Sequence, residues 1–179
     1  TAPMRHQTLR ATLEWSYGLL TAKEQWLLAC LSVFSSGWGF AAAKEVTGCS
    51  LDQLAQLVNK SLVIADQQAS QTRYRLLETV RQFAAEQINA DGQEQRQVQW
   101  QHSRYYLSLL GEQEERLQSP QQRNALDILC TDFANIIAAW QWAVEQHEFD
   151  LLHPAVHALF LFCDITNRFR TGIHLFALA

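Results

Sequence analysis

RYRLLETVRQFAAE, Arg73 to Glu86, decides how the chain is read. Its opening residues follow the period of a strand, while Val80, Phe83 and Ala84 recur at the period of an amphipathic helix. A strand therefore runs directly into a helix. Upstream, the pattern is a compact set of helices closed by a β-hairpin; downstream it is helices only, so this stretch joins two architectures.

The hairpin pairs the extended run SLVIAD with RYRLL across a polar tip at Gln67 to Thr72. Before it, Ser50 opens S-L-D-Q, a capping box in which Gln53 reciprocates, and Leu51, Leu54, Leu57 and Val58 face one side of a helix ending near Lys60. Thr47, Gly48 and Cys49 separate it from a short helix at Phe40 to Val46, which follows a loop at SSGWGF. Thr21 begins T-A-K-E, a second capping box, and starts a helix of roughly Ala22 to Val33 that is apolar almost all round and so central to its domain. In RHQTLRATLEWSYGLL, Leu9, Leu13, Tyr17 and Leu20 form one helical stripe, which Trp15 and Leu19 widen. Three or four helices followed by a two-stranded wing is the order of a winged-helix module of the helix-turn-helix type, expected over residues 5–80.

Downstream, a helix is expected from Glu78 through Ile88 to a break at Asp91-Gly92. The next, about Gln93 to Leu117, aligns Val98, His102, Tyr105 and Leu109, and Ser119 before Pro120 has the chemistry of an N-cap. Phe133, Ile136, Ile137, Trp140 and Val144 give the clearest helical face of this half. Glu148-Phe149-Asp150 separates it from a helix at about Leu151 to Cys163, with a further segment from Asn167. Antiparallel helices with short loops suggest an α-solenoid: residues 81–118 as connecting helices and 119–179 as the start of a repeat region. The fold class expected is mainly α, a winged helix with a small β-hairpin followed by a helical solenoid segment. GIHLFALA carries no C-cap signal, so truncation inside a helix of something larger is expected.

A length of 179 residues, 48% of them hydrophobic, suffices for two small cores. No apolar run reaches the eighteen or more residues of a membrane span, so a soluble, cytoplasmic chain without membrane contact is expected. Cys30, Cys49, Cys130 and Cys163 lack CxxC spacing and fit buried thiols in a reducing compartment. The net charge is −4: residues 1–91 hold eight Lys/Arg and eight Asp/Glu, and residues 92–179 six and ten. Neither half is basic enough to coat a nucleic-acid backbone unaided.

No GxxxxGK[ST] phosphate loop and no GxSxG elbow occur, so the segment is expected to be neither an ATPase nor a triad hydrolase. His153 and His157 have an i, i+4 spacing, yet HPAVH lacks the glutamate of HExxH, so half-buried or surface histidines are the expectation. The tryptophans and tyrosines on helical stripes are assigned to packing. Arg73, Arg75 and Arg81 flank the junction, either as solvated, ion-paired positions or as contacts to phosphate or a partner's carboxylates.

TLRATLEWSYGLLTAKEQWLLACLSVFSSGW, LDQLAQLVNKSLV, and RYRLLETVRQFAAEQI with the later QHSRYYLSL together resemble the region after the nucleotide-binding core of STAND-type (NB-ARC-like) signalling ATPases, especially large bacterial ATP-binding transcriptional regulators. DFANIIAAWQWAVEQ resembles the first repeat of their tetratricopeptide-like sensor array. The resemblance implies a winged helix that packs on an upstream ATPase core and shifts with nucleotide state. ATP or ADP would bind there, with no cofactor in this segment. In related plant and animal members a methionine-histidine-aspartate motif marks the junction; here the triplet is Leu76, Leu77 and Glu78, and leucine cannot donate a hydrogen bond to phosphate.

The expected function is thus a non-catalytic regulatory segment coupling the nucleotide state of its upstream ATPase domain to downstream helical repeats that sense a protein or small-molecule inducer. Arg73, Glu78 and Arg81 form the expected interdomain switch. The alternative is a DNA-binding winged-helix transcription factor domain. Against duplex contact, SLDQLAQLVNK offers one lysine, one aspartate and no arginine, and the wing tip QQASQT is uncharged.

Overall fold

The computed structural model describes residues 4–68, 71–88 and 92–178, with side chains described from residue 10 except at Gln68. The hairpin tip at 69–70, the expected breaker Asp91, the C-terminal Ala179 and the side chain of Leu9 lie outside the described residues. The chain divides into two compact units, Thr1–Val98 and Gln99–Ala179.

The first unit contains α1 (Met4–Gly18), α2 (Ala22–Leu31), α3 (Phe40–Thr47), α4 (Leu51–Asn59) and α5 (Glu78–Ala85), with a three-stranded antiparallel sheet of β1 (Trp38–Gly39), β2 (Ile64–Gln68) and β3 (Gln71–Arg75), in the order β1-β3-β2. Both capping boxes form. The Thr21 hydroxyl accepts from the Glu24 amide while the Glu24 carboxylate accepts from the Thr21 amide, and Ser50 and Gln53 repeat the exchange at α4. Between α3 and α4, Gly48 at φ +71° donates its amide to the Lys44 carbonyl, an αL stop that glycine adopts without a Cβ penalty. The turn from α3 into α4 thereby acquires its helix-turn-helix geometry.

β1 departs from expectation, because SSGWGF contains a strand rather than only a loop. Trp38 pairs with Tyr74 and Gly39 with Arg73, and the fully buried Trp38 ring stacks on Phe34 at 4.7 Å. Two residues are too few to show a strand period, so only the partner strand reveals them. The hairpin also closes more tightly than expected, since Gln67 pairs with Thr72 and Gln68 with Gln71. The core is Leu27, Leu28, Cys30, Leu31, Phe34, Trp38, Ala43, Leu54, Leu57 and Val63. Trp15, Leu19 and Leu51, assigned to apolar stripes, are exposed instead. For Trp15 and Leu19, a stripe of that width exceeds the face that α1 has to cover.

α5 ends at Ala85 rather than running through Ile88, and α6 spans Gln93–Gly111. The expected helix to Leu117 is interrupted there, and α7 (Glu114–Leu117) is a separate turn. α8 (Gln122–Glu145) begins without a side-chain cap; Ser119 Oγ instead accepts from the Gln121 amide at 3.1 Å. α9 (Phe149–Leu152) and a 3-10 turn (His153–Ala155) containing Pro154 replace the start of the helix expected at Leu151, because proline supplies no amide to continue an α-helical ladder. α10 (Val156–Ile165) and α11 (Phe169–Leu178) follow, separated by Asn167 at φ 55°.

The second unit packs α7 on α8 and α10, and α11 on α8 and α10. Its core holds Leu110, Leu117, Leu129, Phe133, Ile136, Trp140, Leu159 and Phe162, with Trp140 Nε1 donating to the Leu175 carbonyl at 3.0 Å. Cys163 is buried and Cys130 exposed, the exposed one contrary to the assignment of the thiols to the interior. Gly111 lets α6 meet the Pro154 carbonyl: a Cβ there would lie 2.8 Å from Pro154 O. Gly111→Ala is expected to cost about 1–3 kcal/mol of unfolding free energy in urea titrations, as overpacked sites do.

A buried polar cluster accompanies this core. His102 bonds to Asn135, whose Nδ2 donates to the Tyr106 hydroxyl at 3.2 Å, and all three are buried. Loss of hydration holds the His102 imidazole down at about 4, with the Asn135 bond acting in the opposite sense. The unfolded chain takes up this proton near the ordinary value of 6.5 while the folded chain resists until about 4, so the stabilising contribution is whole above that range and declines as pH falls through it. His102→Leu is expected to flatten the fall of the thermal midpoint between those two pH values.

Candidate functional site

Two surfaces of the first unit carry the groups singled out in the sequence: the outward face of α4 and the junction from β3 into α5. α4 turns Leu54 and Leu57 inward, and presents Leu51, Asp52, Ala55, Gln56 and Asn59 to solvent. That face holds a carboxylate and no cation. The cation at its C-terminal end, Lys60, points its Nζ at Glu24 Oε1, 2.6 Å away. Glu24 is buried, and the bond from Lys60 together with that from the Thr21 amide holds its carboxyl down at about 2. Lys60 is thus engaged in joining α4 to α2.

The wing arginines are engaged in the same way. Arg73 sits on β3 opposite Asp66 and donates from Nη2 to the Gly37 carbonyl at 2.6 Å, tying the wing to the segment before β1. Arg75 Nε meets Asp66 Oδ2 at 2.8 Å, diagonally across the hairpin. The backbone passes close at Gly37, where a Cβ would sit 3.2 Å from the Tyr74 carbonyl oxygen.

At the junction, Glu78 is the first residue of α5 and does not cap it; Leu77 is the N-cap and makes no side-chain bond. The two Glu78 carboxylate oxygens receive Arg81 Nε and Nη2, each at 2.8 Å, and Gln82 Nε2 at 2.7 Å. The Arg81 bond, then that of Gln82, pulls the Glu78 carboxyl down to about 2. Its place in the first turn also suits the positive end of the helix dipole. The structure brings Glu78 and Arg81 into one pair, whereas Arg73 donates to the Gly37 carbonyl, so these bonds do not join the three expected switch residues. Leu77 is exposed.

The sequence signalled the Thr21–Glu24 box but not Lys60, 36 residues away in the chain, nor the Gly37 carbonyl that receives Arg73. Such partners follow from tertiary placement and have no local pattern. Of the histidine pair, His157 Nδ1 lies 2.8 Å from Glu114 Oε1, and among the described residues no group of three or more His, Cys, Asp or Glu side chains could hold a metal ion. No helix among the described residues is long and apolar enough to cross a membrane.

Residues 20–89 match the family model of the winged helix-turn-helix domain, so the chain contains such a domain. Over 155 residues, 81% of its length, the chain is 40% identical to proteins named "Putative HTH-type transcriptional regulator" in Mycobacterium bovis and Mycobacterium tuberculosis. It spans 17% of the length of these relatives. An uncharacterized Mycobacterium bovis protein is 36% identical over 95 residues, covering 49% of this chain and 24% of that protein. No solved structure matches the chain.

Exposed ion pairs contribute little to stability, typically about 0–1 kcal/mol. Glu78→Gln and Arg81→Ala are accordingly expected to change the unfolding free energy by less than about 1 kcal/mol in denaturant titrations. A larger effect of either on signalling by a longer protein would then be functional rather than structural.

Proposed function

We propose that this chain is a non-catalytic, winged-helix segment of a large transcription regulator. The helix-turn-helix formed by α3, its αL glycine stop and the capping-box start of α4 is the observation that carries the reading, supported by the 40% identity to proteins bearing a transcriptional-regulator name. Among uses of such a domain, DNA contact agrees best with those names. In that use, α4 would lie in the major groove and the β2–β3 wing beside the backbone.

A second reading is favoured by charge. The outward face of α4 has no cation, and Lys60, Arg73 and Arg75 are each held by protein acceptors, so a duplex would meet few groups able to neutralise phosphate. On this reading the winged helix packs on protein, in the manner of a switch domain resting on an upstream ATPase core that binds ATP or ADP, and the helical units of residues 99–179 begin a tetratricopeptide-like sensor for a protein or small-molecule inducer. Arg73, Glu78 and Arg81 would transmit the change. This reading rests on the sequence resemblance and on the charge pattern.

Fluorescence anisotropy of a labelled random duplex, titrated with the chain over a salt series, separates the two. DNA contact predicts binding that weakens as salt rises, with a log–log slope of several units, and a loss on Gln56→Glu. Absence of binding at 50 mM salt, where phosphate contacts are strongest, would overturn the DNA reading and leave protein packing as the use of the domain.

A further inference from the structure

We propose that α1 is a detachable latch on α5: a helix that can leave the first unit while the winged helix behind it stays folded. The proposal holds whether the winged helix serves DNA or protein, because it concerns how α1 is attached. From Arg10 to Leu19 no residue is buried, and only Leu13, Ser16 and Tyr17 are half-buried. α2, by contrast, buries Glu24 and an unbroken run from Leu27 to Leu31.

Side chains described from Arg10 onward join α1 to its neighbours. The Tyr17 ring meets Phe83 of α5 edge-on at 5.4 Å, and Arg10 Nη2 reaches Glu86 Oε2 at 2.9 Å, in an ion pair exposed at both ends. Gln25 Nε2 donates to the Tyr17 carbonyl at 3.0 Å, which anchors the C-terminal turn and makes it a natural pivot. The family model of the winged helix-turn-helix domain begins at residue 20, beyond α1, so the domain is defined without this helix.

α1 also carries a second apolar pair. Trp15 and Leu19, four residues apart and therefore on one face, are 69% and 61% exposed, while Leu13 and Tyr17 are turned inward. An isolated helix of fifteen residues is marginal in water, so release from α5 unfolds α1 unless another surface receives it. Docked and released forms thus differ by a small free energy, which is the property of a switch element. Because α5 begins with Glu78 and Arg81, undocking removes the Tyr17 contact from the same helix that carries the junction pair.

Hydrogen exchange of the intact chain, followed by mass spectrometry, tests this. Amides of Glu14 to Gly18 are expected to exchange at least about 100-fold faster than those of Leu27 to Leu31, as local opening below global unfolding requires. Arg10→Ala should speed exchange in α1 about 2–5-fold, as an exposed ion pair implies, and Tyr17→Ala by about 10-fold, as an aromatic pair implies, both without effect on α2. Arg10 is exposed, so its variant folds. Exchange of α1 and α2 at one common rate, shifted together by both variants, would overturn the proposal, since α1 would then open only with the whole unit.

Discussion

The first unit depends on one buried carboxylate. Glu24 accepts from the Thr21 amide, the Thr21 hydroxyl and the Lys60 ammonium, and so caps α2 while fastening the end of α4 to it. A carboxylate taken out of water is costly unless each lone pair finds a donor, and three donors converge here. With α2 and α4 fixed against each other, Leu27, Leu31, Leu54 and Leu57 are buried, and the Gly48 stop ends α3 ahead of α4. The same bond uses the cation that would otherwise lie beside the exposed face of α4. A tie that builds the helix-turn-helix therefore also reduces its attraction for phosphate.

The wing repeats this economy of charge. Arg73 is held by a backbone carbonyl and Arg75 by Asp66, so the sheet is clamped at both edges of β3 by side chains that on another winged helix could face a nucleic acid. Fold and electrostatics thus pull in different directions. The relatives' names speak for transcription regulation, whereas the outward face of α4 carries a carboxylate and no cation.

Much of the architecture was legible in the sequence because it is written in local chemistry. Thr21-x-x-Glu24 and Ser50-x-x-Gln53 mark helix starts, Gly48 marks a stop, and the shift of period at Arg73 to Glu86 marks where strand becomes helix. What was not legible is what only the assembled chain defines. β1 has two residues and exists through its pairing with β3; the close approach of Pro154 to Gly111 joins residues far apart in the chain; Trp15 and Leu19 look like core on a helical wheel and are exposed. The candidate site shows the same division. Glu78 and Arg81, three apart on one helix, were predictable neighbours, whereas the partners of Arg73 and Lys60 lie 36 residues away in each case.

The most direct measurement is the titration of the Glu24 side-chain carboxyl by NMR in the folded chain, alongside Lys60→Met. With the Lys60 bond first among its causes, the carboxyl titrates at about 2 in the parent chain and moves up toward 4.5 in the variant. An ordinary value in the parent, or no movement on removing Lys60, would contradict the claim that this carboxylate joins α2 to α4 and organises the winged helix.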